Sequence, residues 1–513
     1  MTKGRTLGLM AATCLMAVAA QAEYSYWQGT SGGDLSNAAN WSPSITRDRN
    51  YLNSAQTAPL TIAADFTGLY WPWFGGSGNY VLDLGGYTLT AAYRVHFDGG
   101  ASAASVMRTI IKNGTFAVGS SGDKVFIGDG KGYNHITVES TATLRGSAQP
   151  IYVGDKTYWN SLTVNGTLEG QVYLANTKGG NNTLTVDGET ARWNCSSAVR
   201  TIIGVGGSDN EVCLQNGAQA TLGGSFDLAN ATGSSGNKAY VRSGATLTVA
   251  GEVNVGYQGP SNEISVEQGG TLNAKVMTSV YIGRQGSASG NVLSVSGAVN
   301  SDYENTSSTP IWYVGANTAN NVLRVLPGGR VNISNANLYA ANAAAASGNR
   351  IEVLGGELDA KRVIVGLKGT DSTMVVSNGV VKLGDTLDFN YDSGSARGRI
   401  VIEGADAQVS VASNIRLKKD ATLEFRVPKA GFTSVPLKVN NMEAESDAKL
   451  VVLLADGELP SQDVVLLESA ADLSEPSVQR IKQKLTVPEG AKIVFNSRSA
   501  VLKIRKGLAI IIR

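Results

Sequence analysis

Apolar and polar residues alternate in short runs along most of this chain, and the runs recur in a fixed order. Across residues 134–358 one phrase returns nine times, an Asn followed by an alternating strand: Asn160-Ser-Leu-Thr-Val, Asn182-Thr-Leu-Thr-Val, Asn262-Glu-Ile-Ser-Val, Asn291-Val-Leu-Ser-Val, Asn349-Arg-Ile-Glu-Val. The leading Asn stands at 134, 160, 182, 210, 237, 262, 291, 321 and 349, so the period wanders between 22 and 30 residues. Alternation with period 2 places successive side chains on opposite faces of a strand. No unit carries apolar residues at helical spacing. A unit this small cannot bury its own apolar face, so the units must stack on one another.

Within a unit the order is constant. The Asn strand is followed by a Gly, as at Gly166, Gly188, Gly217, Gly244, Gly269 and Gly297, suited to a sharp turn. A second short strand comes next, such as Thr246-Leu-Thr-Val, and then a third that closes on Gly: Val253-Asn-Val-Gly256, Tyr281-Ile-Gly283, Tyr313-Val-Gly315. Three short strands per repeat predict an all-β fold, a right-handed parallel β-helix of about 13 coils, roughly 60 Å long at the spacing of stacked strands. Parity assigns Leu162, Leu184, Val212, Ala239, Ile264, Leu293, Leu323 and Ile351 to one inward column. The Asn shares that parity, which suits a corner amide bonded to backbone and to its copy in the next coil.

The two ends depart from the repeat. Lys3 and Arg5, an apolar run over 7–20 and Ala20-Gln-Ala22 have the form of a secretory signal cleaved before Glu23. An exported protein, secreted or at the outer cell surface, is expected, with no transmembrane segment after cleavage. Thr13 before Cys14 does not fit a lipoprotein cleavage box, and Cys14 would leave with the signal. Cys195, in a loop, and Cys213, on an outward position, would then occupy an oxidising compartment, where bridged and free forms both stay open. Residues 23–75 hold four of the seven Trp, Trp27, Trp41, Trp71 and Trp73. They are read as a cap over the open end of the helix, whose bore and strand edge need cover, with sugar stacking as the alternative. The repeats occupy 76–430. Beyond them, over 431–513, glycine thins and charge rises, predicting a β-rich capping or attachment segment. One helix is expected there, with Ser474 as its cap and Val478, Ile481 and Leu485 on one face.

The N-terminal phrase Tyr26-Trp27-Gln-Gly29-Thr-Ser-Gly32-Gly33-Asp34-Leu-Ser-Asn37-Ala-Ala-Asn40-Trp41, with the Gly-Thr-Leu and Gly-Ala-Thr-Leu phrases downstream, resembles autotransporter passenger domains and related surface proteins with autotransporter-associated β-strand repeats. The resemblance covers residues 26–404. It implies a pectin-lyase-like β-helix acting as a structural, adhesin-like and non-catalytic rod, with cell-surface glycans, other surface proteins or further copies of itself as partners. One departure is plain: a membrane translocator needs many alternating strands of about 10 residues, and the stretch after Pro428 is too short to supply them.

Composition narrows the function further. Lys and Arg total 43 against 42 Asp and Glu, and no basic stripe appears, so nucleic acid is not an expected partner. Polysaccharide lyases and hydrolases share the β-helix, which keeps a polysaccharide-binding or polysaccharide-degrading protein as the alternative. Polygalacturonase-like members carry Asn-Thr-Asp, Asp-Asp, Gly-His-Gly and Arg-Ile-Lys; only Arg480-Ile-Lys482 occurs here. His96 and His135 lack a nearby carboxylate pair and are expected to face solvent. Asp129 and Asp209 sit in Gly- and Ser-rich turns that favour Asp for geometry alone, and neither has the further oxygens a calcium site needs. No metal, cofactor or catalytic residue is therefore expected. Residues 300–310, with Asp302, Tyr303 and Glu304, are the one stretch between strands with room for a site.

The third strand supplies the candidate site. In Val253-Asn-Val, Val95-His-Phe and Leu387-Asp-Phe the flanking apolar residues must face the bore, so the middle one faces out. Aligned on that position, the coils give His96, Phe126, Tyr152, Tyr173, Ile202, Asp227, Asn254, Tyr281, Tyr313, Tyr339, Ile364 and Asp388. Two outward stacks follow, Phe126/Tyr152/Tyr173 and Tyr281/Tyr313/Tyr339. They are the expected ligand-binding or self-association stripe, since exposed aromatic runs mark interfaces; the alternative is rings that only shield the strand face.

Overall fold

The computed structural model describes residues 24–504 apart from 30, 46–47, 120–122, 276–278, 302–308 and 392–396. The expected secretory signal over residues 1–22, the loop segment carrying Asp302, Tyr303 and Glu304, and the chain end beyond 504 lie outside the described residues. The described chain winds into a parallel β-helix of about 16 turns. First strands such as Ser161–Val164, Thr183–Asp187 and Glu211–Gln215 pair in parallel, each with its copy one turn on. Second strands (Thr167–Glu169 with Arg192–Cys195) and third strands (Val172–Leu174 with Thr201–Ile203) do the same.

The helix has more turns than the 13 expected because it starts earlier and ends later than its Asn and Gly punctuation. Arg49–Leu52 pairs with Trp71–Phe74, which pairs with Val95–Phe97, all in parallel. At the other end Thr422–Val427 pairs with Lys449–Leu454, and Gln408–Leu417 with Leu437–Ala444. Strand alternation survives in these segments although the corner Asn does not. Pairing then turns antiparallel, Val464–Ser469 and Ala491–Phe495 both lying along Ser499–Ile504. The helix Glu475–Gln483 buries Val478 and Ile481, as its pattern predicts, but Leu485 starts a short strand beside Leu450 instead of extending the helix face. Ser474 precedes it without capping: its hydroxyl bonds Ser477 Oγ at 2.8 Å. Among the described residues no helix is long and apolar enough to cross a membrane.

The inward column is as parity assigns it. Leu162, Leu184, Val212, Ala239, Ile264, Leu293, Leu323 and Ile351 lie directly over one another in sequence-adjacent coils and are fully buried. Cys195 joins this core at the end of its strand rather than sitting in a loop, whereas Cys213 points outward under Arg242. The two thiols occupy opposite sides of the wall and both are free. Burial raises the pKa of each, Arg242 partly opposing it at Cys213, so neither is primed to react.

At the corner before each first strand the asparagines form a continuous buried ladder. Each Nδ2 donates to Oδ1 of the Asn one turn on, at 2.8 to 3.2 Å from Asn134 through to Asn349. The same Oδ1 also accepts the backbone N–H of the preceding ladder residue, as in Asn262 N to Asn291 at 2.9 Å. The ladder needs the glycine that closes the third strand: a Cβ on Gly283 or Gly315 would stand 2.3 or 2.2 Å from the amide of Asn321 or Asn349. Of the glycines after the first strand, Gly188, Gly217, Gly244 and Gly269 have the positive φ expected of them. Gly166 and Gly297 do not; there a Cβ would run into carbonyl oxygens of the neighbouring coil.

Two substitutions separate core from ladder. Leu293→Ala should cost about 2 to 5 kcal/mol through its cavity. Asn262→Ala leaves buried donors and acceptors unpaired on both sides, each costing about 1 to 3 kcal/mol, so it should destabilise at least as much despite removing less volume. Chemical denaturation followed by circular dichroism reads both.

Candidate functional site

The third strands carry the candidate site because both flanks of each are anchored. Val95 and Phe97, Val253 and Val255, Leu387 and Phe389 are buried in the apolar core, which leaves the middle side chain on the outer wall. The twelve aligned residues form one column, each in register with the next from His96 to Asp388. They lie outside the bore, as parity predicts, but are far from freely exposed. Phe126 and Tyr152 are 8% and 6% exposed, and Tyr173, Tyr281, Tyr313 and Tyr339 are half-buried.

Stacking explains the cover. Phe126 and Tyr152 lie nearly parallel at 5.1 Å, as do Tyr281 and Tyr313. Tyr173 and Tyr339 instead turn edge-on to the ring before them, at 89° and 80°; the rung that follows each is an Ile, Ile202 or Ile364, with no flat face to stack on. The inner rings therefore spend their faces on each other and present edges and hydroxyls to the outside.

The first stack is longer than its three expected members. It runs up from the N-terminal segment through Tyr26, Tyr51, Trp73 and His96, with stacked pairs at 5.3 Å for Tyr26 and Tyr51, 4.3 Å for Trp73 and His96, and 4.8 Å for His96 and Phe126. Trp73 thus belongs to the column, and Trp71 stands beside it under the guanidinium of Arg49 at 4.4 Å. Trp27 and Trp41 are buried edge-to-face against each other. The expectation that His96 faces solvent is wrong: it is 2% exposed, sandwiched between Trp73 and Phe126. Its ring nitrogens have no hydrogen-bond partner, Asp129 Oδ2 standing 3.7 Å away. Burial, then Arg94 and Arg49, push its pKa down to about 3. His135 is half-buried and bonds Ser161 Oγ at 2.6 Å.

The column also repeats at a longer interval. Ring, Tyr, edge-on Tyr, Ile, Asp and a polar residue stand in order at Phe126, Tyr152, Tyr173, Ile202, Asp227 and Asn254, then again at Tyr281, Tyr313, Tyr339, Ile364, Asp388 and Arg416, six rungs or about 29 Å further along the rod. In both blocks an Arg two residues before the Ile reaches the buried Asp. Arg200 lies 3.3 Å from Asp227, and Arg362 lies 2.5 Å from Asp388. Each of these guanidiniums also sits over a tyrosine, Tyr257 or Tyr391. At the first block Asn254 donates to Asp227 at 2.6 Å and approaches Glu252 at 3.5 Å, and Arg284 pairs with Glu252. Burial pushes Asp227 up to about 6 against the pull of Asn254 and Arg200. Sequence reading found the two Asp by their place in the column but missed Arg200, Glu252, Arg284 and Arg362. The matched spacing of Arg200-Thr-Ile and Arg362-Val-Ile was the signal available.

Where the second strand bends into the third, the outer wall is hollowed in two separate shallow stretches. One stretch of about 480 Å³ is lined by Arg145, Glu169, Gln171, Asn194 and Val199, and another of about 430 Å³ by Asp359, Lys382, Ser410 and Lys438. Among the described residues no group of three or more His, Cys, Asp or Glu is placed to hold a metal ion. The chain matches no family model, no characterised protein and no solved structure.

His96 makes the aromatic stack sensitive to acid. Its folded pKa lies below the unfolded value of about 6.5, so the unfolded chain takes up the proton first and stability falls as pH drops from about 6.5 toward 3. Between pH 7.5 and 4.5 the loss should reach about 2 to 3 kcal/mol, and His96→Phe should remove it; urea titrations at the two pH values read the difference. Asp227 has the opposite sign, its contribution being present below about pH 4 and lost as pH rises through 6. It is common to both proteins and cancels in that comparison.

Proposed function

We propose that this chain is an exported, non-catalytic surface rod of adhesin-like character, related in manner to the passenger domains of autotransporters. It presents the same side chains at short, regular intervals to a cell-surface glycan or to another rod. The observation that supports this reading is the slow change of the outer faces from coil to coil. Thr137, Thr163 and Thr185 stack on the first face, and Thr221, Thr248, Asn273, Asn300 and Asn332 on the second. A surface of repeated hydroxyls and amides forms many equivalent weak contacts, and avidity turns such contacts into firm attachment. The half-buried tyrosines Tyr281, Tyr313 and Tyr339 add an aromatic stripe of edges and hydroxyls to that surface.

Replacing Tyr281, Tyr313 and Tyr339 by Ser should abolish glycan retention or rod association, read by glycan array and sedimentation velocity. The fold should persist with a lower melting point, because stacked pairs contribute about 0.5 to 1.5 kcal/mol each. Association unchanged in the triple variant would remove the stripe from the proposal.

A second reading, a polysaccharide-degrading enzyme, is favoured by one cluster: Asp227 and Glu252 converge on Asn254 between Arg200 and Arg284. Release of unsaturated or reducing sugar ends from polygalacturonate or alginate, lost in Asp227→Asn, would establish it; no release from a panel of such polymers leaves the rod.

A further inference from the structure

The corner before the first strand is the most strongly determined part of each coil, and two of its residues break the local rule. The position ahead of the ladder Asn has a left-handed backbone, filled elsewhere by Asn181, Asp209, Asn320, Gly236, Gly290, Gly348 and the small Ser261. In two neighbouring coils the same position holds Tyr133, at φ 60°, and Trp159, at φ 62°. Bulky side chains are disfavoured in this region, and strain of this kind gathers at functional sites.

The rings here differ from those of the third-strand column in what covers them. Tyr158 and Trp159 are 52% and 50% exposed. The rungs on either side of Tyr158 are Gly132 and Gly180, which have no side chain to stack on it. Gly132 is required there, since a Cβ would stand 2.3 Å from the Tyr158 carbonyl oxygen. The backbone holding the rings is firm: Trp159 N–H donates to Gly180 O, and Tyr133 N–H to Tyr158 O, both at 3.3 Å. Thr157 beside them is buried and bonds Gly128 O at 2.7 Å. The nearby charges are paired with a small acidic excess, the one Lys156 lying 3.4 Å from Asp129 and 3.5 Å from Asp155.

We infer that Tyr158 and Trp159, with Tyr133 one coil before, form a platform for an uncharged pyranose residue of a glycan chain. This deepens the adhesin-like reading and rests on it. A pyranose ring has an apolar face bordered by hydroxyls, so it needs an open aromatic face with polar side chains at its margin. The corner supplies open aromatic faces, and the polar group next to them in the chain is Lys156, paired with Asp129 and with Asp155, which also accepts from Asn176. The area is too small for a protein partner. Aromatic side chains cover about 150 to 250 Å² when fully buried, so these three, already partly covered, offer about 300 Å², against about 800 Å² per partner in a stable protein interface. One lysine against two aspartates leaves the corner slightly acidic, which opposes an acidic sugar and favours an uncharged one.

The test titrates the full chain calorimetrically with cellohexaose, laminarihexaose and mannohexaose, with oligogalacturonate as the acidic control. At least one uncharged oligosaccharide should bind, and Trp159→Gly and Tyr158→Ala should each weaken it at least tenfold. Trp159→Gly should also hold or raise the melting temperature, because Gly accepts the left-handed backbone; a ring with a purely structural role would give the opposite shift. Binding of the acidic oligomer alone, binding unaffected by both variants, a lowered melting temperature in Trp159→Gly, or no binding at all would each overturn the platform. Loss of binding only when Tyr281, Tyr313 and Tyr339 are replaced by Ser would overturn it too while leaving the adhesin-like reading intact.

Discussion

The asparagine ladder is the constraint on which the remainder of the molecule depends. A parallel β-helix has no side-to-side contacts beyond those between adjacent coils, so the phase of one coil on the next must be set locally at every turn. Each ladder amide does this by accepting a side-chain and a backbone N–H from the preceding Asn, in a buried site where an unpaired amide is costly. A slip of one residue would turn every inward Leu, Ile and Val onto the outer wall. Coil lengths between 22 and 30 residues are tolerated because the slack is taken up in the loops, while the Asn and the strand after it keep their place.

Once the phase is fixed, everything on the outer wall becomes a column, and column neighbours decide burial more than parity does. Phe126 points away from the bore and is nonetheless closed off by His96 below and Tyr152 above. Asp227 and Asp388 also point away from the bore and are fully buried, each held by an Arg from the preceding coil. Tyr158 has the same outward placement but stands between two glycines and stays open. Identical chemistry thus serves as packing at one rung and as a surface at another, according to the residues one turn away.

This explains which parts were legible in the sequence. The β-helix, the inward column from Leu162 to Ile351 and the Asn ladder follow from period-2 alternation and one repeated residue, and both signals are local. The true extent of the helix was hidden because Arg49-Asn-Tyr-Leu and Lys449-Leu-Val-Val keep the alternation without the corner Asn. The cover over His96 was hidden for a different reason: it depends on Trp73 and Phe126, which lie 23 and 30 residues away along the chain but one rung away in space. The bonds of Arg200 and Arg362 are long-range in the same sense. Alignment of the coils on a single position, extended into the N-terminal segment, would have placed Tyr26, Tyr51 and Trp73 on the same column.

The ladder also gives the rod a mechanical character. Its hydrogen bonds run along the long axis while its strands lie across it, so a pull on the two ends loads the coils one at a time by peeling rather than all together by shear. Each coil that lets go releases about 27 residues, close to 90 Å of extended chain, in place of a rise of about 4.8 Å. Under tension the rod would lengthen in discrete steps from one end, dissipating work at each step while the coils still wound keep their surface unchanged.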